Sequence, residues 1–200
     1  MNHLAHIYLS YGHESILLGN FFCDFLSLPE QRAIPADFSG GFKVHRWIDD
    51  YTDSHKLVAE MRNTLRPASG KYAGVIADIL MDHQLVKFWN LFSEHPYEEY
   101  CTTQYHNLEK LFWLVPGHTS SKVQHMINDQ WLHSFAEVSG MEYTFSLLAQ
   151  RAKYRDSFAE VMPLYKENES KLDGLFMEFF PELCGYVVLR LEEFNLQSGN

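Results

Sequence analysis

The chain has 200 residues, of which 46% are hydrophobic and 15% aromatic, so it can bury a core without disulfides or a structural metal and is too apolar to be disordered. Its formal charge of -10 argues against nucleic-acid binding, which is driven by Lys and Arg displacing phosphate counterions. Cys23, Cys101 and Cys184 lie far apart, which excludes a disulfide framework and a thiolate zinc site and points to a reducing cytoplasm.

The opening segment, MNHLAHIYLSYGHES, lacks a basic stretch followed by an unbroken apolar run, and no apolar run in the chain reaches bilayer length. A soluble chain without a membrane partner is expected. Apolar residues then recur at helical spacing, interrupted by SLPEQ, IPADFSGG, RPASGK, SEHPYEE, VPGHTSS, EVSGME and MPLY. These breakers mark off roughly seven to nine helices with short connections. In VIADILMDHQLVKFWNLF, Ile76, Ile79, Leu80 and Val86 share a stripe with His83. Asp173-Gly174 is read as a break between helical patterns, and Phe176, Phe179, Phe180 and Tyr186 beyond it as core. No strand alternation, repeat or linker interrupts this pattern, so the expectation is an all-α fold in one domain over residues 1–200.

Polar pairs four residues apart project from one helix face and can converge on one ion. Three occur in the first half: Asn20 with Asp24 in GNFFCDF, His45 with Asp49 in VHRWIDD, and Asp78 with Asp82 in ADILMDH, where His83 follows. His6 and Asp53 flank them. Asp24, Asp78 and Asp82 stand among large apolar residues, where an ionised carboxylate must be paired, hydrogen-bonded or metal-bound. A single pair of this kind is ordinarily a helix cap, a partner of Lys43, Arg46 or Arg62, or solvent-facing. Three pairs and a histidine together put a metal site on an equal footing with that ordinary reading. Mixed His and Asp ligands suit Mn, Fe, Zn or Mg without choosing among them. A cation so held can activate water and neutralise a phosphoryl oxygen, while Lys43, Arg46 and Arg151 are available to hold a phosphate.

MNHLAHIYLS, GNFFCDF, GFKVHRWIDDYTD, DILMDHQLVKFW, QWL and LAQRAKYR, in this order, resemble the acyl carrier protein phosphodiesterases. These hydrolyse holo-acyl carrier protein to 4′-phosphopantetheine and the apo form. That family is similar in turn to the all-helical HD phosphohydrolases, although here the dipeptide is reversed, as Asp82-His83. The resemblance implies an all-α enzyme, a divalent cation that is typically manganese, and acyl carrier protein as a cytoplasmic partner. It carries over His6, Asn20, Asp24, His45, Arg46, Asp49, Asp53, Asp78, Asp82, His83 and Arg151.

Within that set, Asp24, His45, Asp49, Asp82 and His83 are the expected ligand pool, too many to touch one small ion directly unless the site is binuclear or some of them act by holding the ligands that do. His6 is a ligand or the general acid. His6, Asp24 and Arg46 are the expected catalytic residues, and Asn20, Arg46 and Arg151 those nearest the substrate phosphate. The family's carrier substrates are acidic, so encounter with a chain of this charge requires a local basic patch. Lys43 with Arg46, Arg62 with Arg66, and Arg151 with Lys153 and Arg155 are the candidates. A nucleotide or a pantetheine-bearing small molecule as substrate, and a non-catalytic helical binding module, are the competing readings. The oligomeric state is left open.

Overall fold

A computed structural model describes residues 1–151, 158 and 160–198, with residues 151 and 195–198 described by backbone alone. The described residues are helical and contain no strand. In order, the helices are α1 (His3–Tyr8), α2 (Glu14–Phe22), α3 (Leu28–Ala33), α4 (Gly40–Ser54), α5 (Lys56–Ser69), α6 (Ala73–Lys87), α7 (Trp89–Phe92), α8 (Tyr97–Lys110), α9 (Gly117–Asn128), α10 (Val138–Arg151), α11 (Val161–Glu167) and α12 (Glu169–Ser198). Those of seven or more residues fall within the number expected from the breakers; the short α1, α3 and α7 add to them.

Local sequence explains most boundaries. Glu30 reaches back to accept a hydrogen bond from the Ser27 N–H at 2.7 Å, and Pro29 sits in the first turn, so α3 begins where SLPEQ dictates. Other breakers do not break. Pro67 lies inside α5 and Pro181 inside α12, and Asp173-Gly174 is also within α12. Tertiary contacts override the local signal there: Asp173 pairs with Lys87 of α6, and Phe176, Phe179 and Phe180 of α12 are fully buried.

Helix α6 departs from the single stripe expected of it. Ile76, Ala77, Ile79, Leu80, Met81, Asp82, His83, Gln84 and Leu85 are all buried, so it is enclosed on nearly every side, and its polar side chains must find partners inside the protein. Buried side chains from α1 through α12 form one contiguous core cluster.

Two glycines set the spacing that matters most for the site. A Cβ on Gly41 would lie 2.1 Å from the Ile16 carbonyl oxygen, and one on Gly19 would lie 2.4 Å from the Phe42 nitrogen. Helices α2 and α4 therefore meet backbone to backbone, closer than any side chain permits. Among the described residues, no helix is long and apolar enough to cross a membrane.

Candidate active site

The close α2–α4 contact brings the Asn20 backbone carbonyl within 2.9 Å of His45 Nδ1. A carbonyl only accepts, so Nδ1 carries the hydrogen and Nε2 points the other way. His6, on α1, is held similarly. The Asn20 amide nitrogen donates to the His6 carbonyl at 2.6 Å and to Ser10 Oγ at 3.1 Å. Its Oδ1 is thereby left to accept from His6 Nδ1 at 2.8 Å. Both rings thus turn Nε2 toward the same carboxylate. Asp49, one helical turn after His45, has Oδ2 3.1 Å from His45 Nε2 and Oδ1 3.3 Å from His6 Nε2. Asp24 closes the group with Oδ1 3.3 Å from His45 Nε2.

Asp24 does not share a helix with Asn20 as their spacing suggests. Helix α2 ends at Phe22, and Asp24 sits in the 3₁₀ turn Cys23–Phe25. The tighter winding turns its carboxylate outward, leaving it about half exposed at the mouth of the group.

The electrostatics are those of a compact cluster. Burial acts to lower the His45 pKa, but hydrogen bonds to Asp24 and Asp49 outweigh it and push the imidazole up to about 12. Burial likewise acts to raise Asp49, yet the bond from His45 outweighs it and holds its carboxyl well below the usual range. Asp24 is lowered chiefly by its bond to His45. His6 is lowered by burial and stays neutral at pH 7. Its Nε2 is buried and makes no hydrogen bond, although Asp49 faces it.

That bare, buried lone pair tests whether a cation fits here. One ligand atom from each of His6, His45 and Asp49 can be chosen so that all lie within 4.8 Å of one another, close enough to surround one ion. Each imidazole has its second nitrogen fixed by an oxygen acceptor, as ligating histidines do. Two imidazoles and a carboxylate suit manganese, iron or zinc and leave positions for water. The donor set fits a divalent cation.

Asp82 and His83, expected as ligands, are turned to other partners. Asp82 is fully buried and accepts from the backbone N–H groups of Leu4 at 2.8 Å and Ala5 at 3.1 Å. It caps the first turn of α1, the helix that carries His6, by supplying acceptors to amides that have none within the helix. Burial pushes its carboxyl up to about 7. His83 Nδ1 donates to the Phe135 carbonyl at 2.7 Å, and the ring packs edge-on against Tyr165. Asp78, raised by burial, lies 3.5 Å from the Met1 amino nitrogen and 3.9 Å from Arg62. Asp53 is exposed and holds Arg62 at 2.6 Å. Arg46 is exposed on α4 beside His45, with no ion-pair partner among the described residues. The Arg151 side chain, Lys153 and Arg155 lie outside the described residues. Gly19, Gly41 and the backbone carbonyl of Asn20 are the contributors that sequence reasoning missed; the glycines in GNFF and GGFK were its only visible trace.

The fold and this cluster define a class: an all-helical protein in which two buried imidazoles and two partly exposed carboxylates converge. The particular family follows from comparison. The acyl carrier protein phosphodiesterase profile matches residues 1–183, and the chain belongs to that family. Proteins of that name from Klebsiella pneumoniae (strain 342), Enterobacter sp. (strain 638) and Escherichia coli O157:H7 (strain EC4115 / EHEC) are 27%, 26% and 25% identical to it over 184 residues. The alignments cover 92% of this chain and 95% of each relative. No solved structure matches the chain.

Proposed function

We propose that this chain, acting as one domain over residues 1–200 in the cytoplasm, hydrolyses the phosphodiester of holo-acyl carrier protein, releasing 4′-phosphopantetheine and the apo form. The reaction uses a divalent cation, with manganese foremost and Mg²⁺, Fe²⁺ or Zn²⁺ as alternatives. Family membership over residues 1–183 supports the substrate. The observation that carries the cation is the buried His6 Nε2, which has no hydrogen bond and points with His45 Nε2 at Asp49.

His6, His45 and Asp49 would hold the ion, and Asp24 would reach it from the mouth. Once bound, it lowers the pKa of water and neutralises charge on the phosphoryl oxygens. The chain's own residues do the rest. Asn20 keeps both imidazoles in register through its amide and its carbonyl. Arg46 holds a phosphoryl oxygen through charge-assisted hydrogen bonds. Asp24, half exposed, orients the attacking water, takes its proton and passes it to the serine oxygen as that oxygen leaves. A bond forms from water oxygen to phosphorus, the bond from phosphorus to the serine Oγ breaks, and one proton moves from water to Oγ. The scheme draws nothing from a histidine–aspartate dipeptide of the HD type, because Asp82 and His83 are engaged by backbone groups.

The test is turnover of purified holo-acyl carrier protein with Mn²⁺, followed by the mass of the apo-protein. Product is expected with the wild type and not with excess chelator or with Asp24→Ala. Equal product in chelator would remove the cation from the scheme, and equal product from the variant would remove Asp24.

A further inference from the structure

Helix α9 lies alongside the segment that carries Asp24. Thr119 and Val123 are buried, whereas His118 and Lys122, also four residues apart, face outward. Two contacts fix this outer stripe to the neighbouring segment. His118 Nε2 is 3.4 Å from Glu30 Oε1, and Lys122 Nζ stands over the Phe25 ring, 4.7 Å from its centroid. Phe25 follows Asp24 directly and stacks on His3 at 5.2 Å, and His3 interacts electrostatically with both Asp24 and Lys122. Leu28, at the start of α3, is 66% exposed beyond Phe25.

Of the basic clusters considered from sequence, Arg62 is engaged by Asp53. Lys122 has no carboxylate within ion-pair distance among the described residues, is exposed, and is steadied over Phe25 beside the open side of the site. In a chain of charge -10, an unneutralised cation at this place marks where a negatively charged surface can approach. The apolar Phe25 and Leu28 beside it give such a surface something to cover.

We infer that α9 and the segment from Asp24 to Glu30 form a docking ledge for an acidic protein surface, with Lys122 as its cation. This rests on the proposed reaction, in which the phosphodiester is presented by a folded carrier. Lys122 acts on encounter and seating of that carrier, not on the bond being broken.

The experiment compares wild type, Lys122→Glu, Lys122→Arg and, as a control for net charge, Lys56→Glu on the exposed start of α5. Lys122→Glu is expected to raise KM for holo-acyl carrier protein about tenfold with kcat retained, and to flatten the dependence of KM on salt. Lys122→Arg and Lys56→Glu should stay near wild type. Hydrolysis of bis(4-nitrophenyl) phosphate, which presents no protein surface, should not change. An unchanged KM in Lys122→Glu overturns the ledge, and so does an equal loss on the small diester, which would place Lys122 on the phosphate. Should the wild type release no 4′-phosphopantetheine, the proposed reaction fails by itself. The ledge is then judged by titrating holo-acyl carrier protein onto wild type and Lys122→Glu in a calorimeter, where equal affinities overturn it.

Discussion

The imidazoles of His6 and His45 lie face to face, 4.3 Å between centroids and 22° from parallel, and both are anchored at Nδ1 by one residue, Asn20. Two rings from helices 39 positions apart in sequence (45 − 6) therefore share one support. Their free nitrogens necessarily point the same way, which is what two ligands to one ion require.

Asn20 should consequently behave as a residue that orients ligands without being one. In Asn20→Leu, His6 loses the acceptor at Nδ1 and the donor to its carbonyl, whereas His45 keeps the backbone oxygen. Loss of such an outer partner weakens metal affinity by about 10–100-fold. Titration of Mn²⁺ followed by electron paramagnetic resonance measures this, and unchanged affinity would show that the shared anchor is dispensable.

Ion binding should release a proton. Without an ion His45 is pushed up to about 12, so at pH 7 Nε2 is protonated and must give up that hydrogen to become a ligand. Affinity then rises with pH. For folding of the ion-free protein the sign is opposite: a raised histidine pKa contributes stability that is fully present below the unfolded value near 6.5 and is lost as pH rises through about 12. Calorimetry in buffers of different ionisation enthalpy should find about one proton released per ion. No release would mean that His45 is not a ligand.

The all-α class, the aromatic core of α12 and the His45–Asp49 pair were legible because each depends on local periodicity, which a single sequence carries. Asp82 was not. Its spacing from Asp78 and its apolar neighbours fit a ligand and a cap equally well, and the Leu4 and Ala5 amides reach it only once α1 docks onto α6. The contact between α2 and α4 was hidden for a related reason. A glycine at a helix crossing looks like any other glycine until the partner backbone is in place. Lys122 was passed over because it lies far in sequence from every motif of the site, on a helix that reaches Phe25 only through the fold.

Gly41→Ala tests that crossing. The added methyl would stand 2.1 Å from the Ile16 oxygen, a backbone atom that cannot swing aside, so α4 must shift. Overpacking of this kind costs about 1–3 kcal/mol. Because the same contact sets the distance from His45 to the Asn20 carbonyl, affinity for Mn²⁺ should fall together with the melting temperature. Gly174→Ala is the control: nothing stands within 4 Å of its added Cβ, and the better helix propensity of Ala should leave stability equal or slightly higher. A Gly41→Ala protein with wild-type melting and metal binding would mean that the two helices have room to spare.

Asp82→Asn separates capping from ligation. An amide offers one acceptor oxygen where the carboxylate offers two, so either the Leu4 or the Ala5 N–H loses its partner, at a cost of about 1–3 kcal/mol for a buried donor. Helix α1 then frays at its first turn and His6 is less well held. The expected result is lower stability and a partial loss of metal affinity. Outright loss would instead identify Asp82 as a ligand. The pH dependence gives an independent reading. Burial raises the folded pKa of Asp82 from 3.8 to about 7, so between those values the folded state binds more protons than the unfolded chain. Its contribution to stability accordingly falls as pH rises across that interval. Urea midpoints at pH 5 and pH 7.5 should show this slope for the wild type and a shallower one for Asp82→Asn. Identical slopes in the two proteins would mean that Asp82 remains ionised throughout and that the Leu4 and Ala5 amides outweigh its burial.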